Sequence, residues 1–197
     1  MAASDKTKRK LADAFIRLID RSSMKKIHIA DICKEADVER RTFYYHFQDK
    51  YDLAAWIYDE AFRKSFYDFE WAEEIDAEQL KAQSYKFAKS ILEEPQRSYY
   101  RKLFDDNSQN SVLTYMKKTG MKYHRDVAKE YLRVEKLSDA QEIAIAYYTN
   151  ALNGLAIDIM AGVVQATAAQ YVEYQYRMIP DFLLEAVVEH INKHRGL

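Results

Sequence analysis

The chain predicts an all-α protein, and three observations carry that expectation. Only four glycines and two prolines occur among 197 residues, which leaves little turn chemistry for hairpins. Apolar residues recur at three- and four-residue spacing over long stretches instead of alternating. Hydrophobic residues make up 48% of the chain and aromatics 14%, enough to build a small helical unit followed by a larger one. The expected division is a three-helix unit over residues 1–49 and a larger helical unit over residues 50–197.

The elements follow in order. Leu11, Ala14, Phe15 and Leu18 form an i, i+3, i+4, i+7 stripe, predicting a first helix over residues 5–21 that covers the next two. Lys6, Lys8, Arg9 and Lys10 flank that stripe as a basic arm or a solvated helix start. Ile29, Ile32, Cys33 and Ala36 predict a second helix, and Cys33, the single cysteine, reads as a packed thiol. Asp37-Val38 interrupts the pattern, with Asp tolerating a left-handed backbone better than most residues. In a short third helix Phe43 and Phe47 fall one turn apart, so Arg40, Arg41, Tyr44 and Tyr45 share the opposite face. The result is helix, tight turn, helix, with a face of guanidinium forks and phenols suited to a DNA groove. Asp49 caps the start of a connecting helix over residues 50–71, with Lys50 in its first turn and Leu53, Trp56, Ile57, Phe62 and Phe66 as apolar contacts. Further helices are predicted near 77–93, 96–104, 111–134, 139–164 and 168–193, with Pro95, Gly120 and Pro180 as breaks, ends or bends.

A formal net charge of -1 conceals an asymmetry. Residues 1–50 hold 12 Lys and Arg against 8 Asp and Glu, and the remainder 18 against 23. A positive small unit beside a negative large one orients the chain toward polyanions.

The run Ile32, Ala36, Val38, Thr42-Phe43-Tyr44-Tyr45-His46-Phe47, Lys50 and Leu53 resembles the signature of the TetR/AcrR family of transcription regulators. The resemblance covers roughly the first sixty residues. It implies a helix-turn-helix DNA-binding domain followed by a ligand-binding and dimerisation domain, acting on palindromic operators as a homodimeric repressor released by a small-molecule effector. Three residues depart from the family pattern: Asp37 where Gly is usual, Arg41 where a small residue is usual, and His28 where a Thr or Ser cap is usual.

On this reading Arg40 and Arg41 are the candidates for guanine edges. Thr42, Tyr44 and His46 align with positions that hold the DNA backbone. Tyr45 is placed at a thymine methyl, at a phosphate or in edge packing. His28 has phosphate, packing and capping roles open to it. Lys50 is a cation where the helix dipole disfavours one, and a phosphate would explain it.

For the larger unit, the middle helices carry Phe87, Tyr99, Tyr100, Phe104, Tyr115, Met116, Tyr123, Tyr147 and Tyr148. Tyr99, Tyr100, Phe104, Tyr115, Met116 and Tyr147 are the candidate effector residues, for an apolar or aromatic ligand. Along residues 145–163 one stripe is apolar, and Asn150, Gly154, Asp158 and Gly162 form a small or polar one beside it. Leu152, Leu155, Ile159 and Val163, with Leu183 and Val187, are the candidate dimer interface, set against a reading as internal core.

LEEPQRSYYRKLF, SQNSVLTYM and NGLAIDIMAG resemble the DhaS-like regulators of dihydroxyacetone kinase genes within that family. This brings in an alternative, a coregulator that acts through a protein partner instead of its own ligand. No cysteine metal cluster, HExxH or glycine-rich phosphate loop occurs in the chain, so no enzyme activity, metal or cofactor is implied. The lack of a ~20-residue apolar run or an apolar leader predicts a cytoplasmic protein without membrane association.

Overall fold

The computed structural model describes residues 3–66, 74–93, 96–104 and 112–194. Among them the secondary structure is helical: α1 (Ala3–Arg21), a 3-10 turn (Met24–Lys26), α2 (Ile29–Ala36), α3 (Arg40–His46), α4 (Lys50–Phe66), α5 (Ala77–Leu92), α6 (Gln96–Phe104), α7 (Val112–Leu132), α8 (Asp139–Ala161), α9 (Ala168–Met178) and α10 (Asp181–His194). The all-α expectation holds.

Several boundaries are written in local chemistry. Asp76, Ser138 and Thr167 cap α5, α8 and α9, each paired with a glutamine three residues on that returns a bond to the cap backbone. Two orphan donors are thereby satisfied at each start. Gly162 ends α8 at φ 80°, and the Val163 amide reaches back to the Asp158 carbonyl at 2.9 Å, a Schellman-type close. Pro180 separates α9 from α10, its carbonyl accepting from the Leu183 amide at 2.8 Å; proline lacks the amide and the space to continue a helix. Gly120 instead lies within an unbroken α7. A Cβ there would meet Thr149 Cγ2 at 3.2 Å, so its use is close approach to α8.

One apolar cluster runs from α1, α2 and α3 through α4 into α6, α8 and α9, joining Leu11, Phe15, Phe43, Leu53, Tyr99, Leu103 and Ile159. The two predicted units therefore share a core. Two smaller clusters lie beside it, one where α7 packs against α8 and α10 around Ile145, Tyr148 and Leu183, the other around Phe66, Leu80 and Ile191. Helix α6 bridges the two ends of the molecule: the Arg97 guanidinium donates to the Ile159 carbonyl at the end of α8 (2.5 Å). Lys102 Nζ donates to the Ile19 and Asp20 carbonyls at the end of α1 (3.0 and 2.9 Å). Cations at helix C-termini complement both the orphan carbonyls and the dipole.

Candidate nucleic-acid interface and effector cavity

Phe43 and Phe47 are buried, with ring centroids 5.8 Å apart, and they anchor α3 on the core. Their burial turns Arg40, Arg41, Tyr44 and Tyr45 outward; Tyr44 is 51% and Tyr45 82% exposed. Thr42 and His46 are partly buried at the edges of that face, and His46 stacks edge-on against Tyr45 at 4.9 Å. Burial and the Lys8 charge lower the His46 pKa. Arg41 Nε sits 2.6 Å from Glu39 Oε2 with both side chains well exposed, a pair that water screens to little net energy and that a phosphate or base edge can displace.

The turn before α3 holds despite the missing glycine. Asp37 adopts φ 51°, ψ 56°, and its backbone carbonyl accepts from Lys10 Nζ at 3.2 Å. Lys10 thus braces the turn, Arg9 approaches Glu60 at 3.8 Å and Lys8 lies 5.9 Å from the Trp56 ring. These three side chains of the expected basic arm belong to α1 and lie beside other groups of the protein, with Arg9 and Lys10 still about half exposed. His28 is exposed and its amide donates to Asp31 Oδ2 at 2.9 Å, so the N-terminus of α2 is satisfied through Asp31.

Lys50 also makes contacts within the protein. Its ammonium donates to the Met24 and Ile27 carbonyls at 2.8 and 2.9 Å, on either side of the 3-10 turn's end. The cation that the α4 dipole disfavours is thus held by two carbonyls, which ties the start of α4 to the segment between α1 and α2. Asp49 Oδ1 caps α4 by accepting from the Tyr51 and Asp52 amides.

About three turns further along the same helix, α4 forms a wall of a cavity of about 280 Å³. Tyr58, Asp59, Phe62 and Phe66 come from α4, Phe87 from α5, Met116, Tyr123 and His124 from α7, Leu152 from α8 and Tyr171 from α9. The Tyr115 hydroxyl donates to Asp59 Oδ2 at 2.5 Å, and burial raises the Asp59 pKa. His124 Nδ1 lies 2.8 Å from Thr149 Oγ1, and burial pushes its pKa down to about 4, leaving a neutral ring at pH 7.

Of the residues expected to contact an effector, Met116 lines this cavity. Tyr115 borders it through Asp59. Tyr99 and Tyr100 pack in the main core, 7% and 6% exposed, because their helix is drawn in between α1 and α8. Tyr147 is 71% exposed on the outer side of α8. The Phe104 side chain lies outside the described residues. Tyr58, Asp59, His124 and Tyr171, which also line the cavity, were not among the residues expected from sequence; Phe62 and Phe66 were expected only as apolar contacts of the connecting helix, and the recurrence of Tyr58, Phe62 and Phe66 every four residues along α4 was the available signal.

The residues expected at a dimer interface divide between core and surface. Ile159 and Leu183 are buried within the protomer at 1% and 0%, so internal packing uses them. Leu152 and Val187 are partly buried against the α7 cluster, Leu155 against the main core, and Val163 is 75% exposed. The outward face of α8 is the neighbouring stripe: Ile143 at 69%, Tyr147, exposed Asn150, Ala151 and Asp158, and Gly154 with open space above its Cα.

A helix-turn-helix head with an outward-facing aromatic and cationic third helix, followed by further helices among the described residues, is the arrangement of helical DNA-binding proteins. Residues 11–56 match the family model of the bacterial regulatory proteins, tetR family, and the chain carries that family's helix-turn-helix domain at its N-terminus. A stretch of 73 residues is 30% identical to the HTH-type dhaKLM operon transcriptional activator DhaS of Lactococcus lactis subsp. lactis, a match covering 35% of this chain and 39% of that relative. The solved structure of a dihydroxyacetone kinase operon activator DhaS superposes with a TM-score of 0.55 at 18% identity, over 93% of this chain and 97% of the other. That likeness extends the shared fold beyond the head to the larger helical part.

Proposed function

We propose that the protein is a homodimeric, ligand-responsive transcription regulator that inserts α3 into the major groove of a palindromic operator. The observation that carries this is the reading face itself: Arg40, Arg41, Tyr44 and Tyr45 stand exposed while Phe43 and Phe47 of the same short helix are buried. Exposed phenols and guanidinium groups held rigid by a buried aromatic anchor are suited to base edges and phosphates together. The paired copy approaches through the outer face of α8, where Ile143 and Tyr147 supply apolar area and Gly154 permits close contact. Two copies place two reading helices on successive faces of the duplex. The cavity receives the effector, and α4 links it to the head, since Asp59 lies nine residues and about 14 Å along the helix from Lys50. A ligand that fits better in the DNA-incompetent spacing releases the operator, which makes the protein a repressor.

A second reading is favoured by one observation, that both named relatives are activators. Under it the same DNA contact recruits transcription, with a protein partner in place of the ligand. Selection from a randomised duplex pool at about physiological salt tests the DNA reading. One enriched palindrome is the expected result, and failure of any sequence to rise above the pool defeats an autonomous reader. Placing that palindrome upstream of a reporter then separates repression from activation by sign.

A further inference from the structure

The chemistry of the cavity selects its ligand more narrowly than its aromatic character alone. Among the described residues that line it there is no Lys or Arg, and Asp59 is the only carboxylate. His124, the other titratable group with access to a cationic form near neutrality, is held uncharged by burial. The polar lining is largely spent on the protein itself: Ser84 pairs with the Tyr176 hydroxyl at 2.9 Å, His124 with Thr149, and Asn153 with the Thr149 carbonyl at 3.0 Å. Asp59 is different. Its hydrogen-bond donor is the neutral Tyr115 hydroxyl, which leaves most of a carboxylate's acceptor capacity unused and its charge without a neighbouring cation among the causes that set its pKa. A partly buried anion of this kind is stabilised by a positive ligand and repels a negative one more strongly than it would in water. Tyr58, Phe62, Phe87 and Tyr123 line the same cavity, packed edge-to-face on one another, and aromatic rings attract cations at their faces.

We propose that the cavity binds a small organic monocation, a quaternary or protonated amine carrying an apolar body, with its charge beside Asp59 and its body among the aromatic walls. The volume of about 280 Å³ limits the ligand to a small one. Placement of the charge on α4 puts the recognised group on the helix that begins in the DNA-reading head. The inference rests on the reading of this cavity as the effector site.

The test uses the full-length protein and calorimetric titration with three probes of similar shape: phenethyltrimethylammonium, its neutral isostere with a tert-butyl group replacing the trimethylammonium, and the anion phenylpropionate. The cation is expected to bind about tenfold or more tighter than either of the others. Asp59→Asn should abolish that preference while leaving the neutral probe's affinity unchanged, and Asp59→Glu should restore part of it. Circular dichroism checks that each variant folds; should Asp59→Asn fail to fold, Phe62→Leu supplies the second variant, expected to weaken the cation more than the neutral isostere. Equal binding of cation and isostere, preference for the anion, or an unchanged preference in both Asp59→Asn and Phe62→Leu overturns the proposal. In those cases a neutral or anionic probe that binds and releases operator leaves the effector reading standing, whereas no binding by any of the three removes both.

Discussion

The helix-turn-helix head and the cavity proposed for the effector are built on opposite plans. Every candidate DNA contact falls within residues 28–50, on exposed or partly exposed side chains of short, consecutive elements held by a few buried rings. The cavity draws its walls from five helices, α4, α5, α7, α8 and α9, spread over more than a hundred residues of sequence. A surface that reads a polymer can be local because its partner supplies the extent. A cavity must be enclosed, and enclosure needs distant segments.

The comparison breaks first at the anchor of the head. Phe43 is fully buried, so Phe43→Ala should cost about 3–5 kcal/mol and unfold the helix-turn-helix, as read by denaturant melts and by loss of all DNA binding. Tyr45→Ala, on the exposed face of the same helix, should shift stability by less than about 0.5 kcal/mol. Equal destabilisation by both would mean that α3 is not divided into an anchoring and a reading side.

A smaller effect belongs to the cavity wall. His124 has a folded pKa of about 4 against an ordinary value of 6.5, so the unfolded chain binds the proton more readily and stability is full above pH 6.5. It should fall as the pH drops from 6.5 toward 4, by on the order of 2 kcal/mol once the partial exposure of the ring is allowed for. His124→Gln should flatten that part of a stability-against-pH curve. A wild-type curve already flat between those values would show the ring to be solvated.

Lys50 and Arg41 sharpen the division further. Lys50→Ala removes two charge-assisted bonds to backbone carbonyls and should lower stability by about 1–2 kcal/mol, while weakening all DNA sequences together. Arg41→Ala should leave the melting curve unchanged and relax base preference at one half-site position by about 1–3 kcal/mol. A Lys50→Ala protein with unaltered stability and reduced affinity would return that ammonium to a phosphate. The smallest change expected concerns association: Tyr147→Glu on the exposed face of α8 should convert dimer to monomer in sedimentation without moving the melt of the protomer.

Sequence legibility follows the same divide. The head could be read because Phe43 and Phe47 are four apart and Asp37 breaks the pattern between two helices, all within one short window. The three Gln-containing capping boxes at Asp76, Ser138 and Thr167 are equally local but were not read from the sequence. The residues expected at a dimer interface divide because α8 stops at Ala161: Ile159 lies within the helix and is buried, while Val163 follows the Gly162 cap and is exposed. Tyr99 and Tyr147 fared likewise, since a tyrosine suits a core, a cavity and a surface. Lys50 was placed correctly on its helix, but its partners lie more than twenty residues upstream, in a turn whose path no local pattern reveals.

The continuity of α4 has a bearing on how such proteins can diverge or be recombined. Inserting or deleting one residue between Lys50 and Tyr58 would turn everything beyond it by about 100°, swinging Asp59 and Phe62 out of the cavity while the head stayed in place. Lineages exchanging heads to acquire new operators, and engineers grafting them, are therefore confined to junctions upstream of Asp49 or to swaps that keep the residue count along α4.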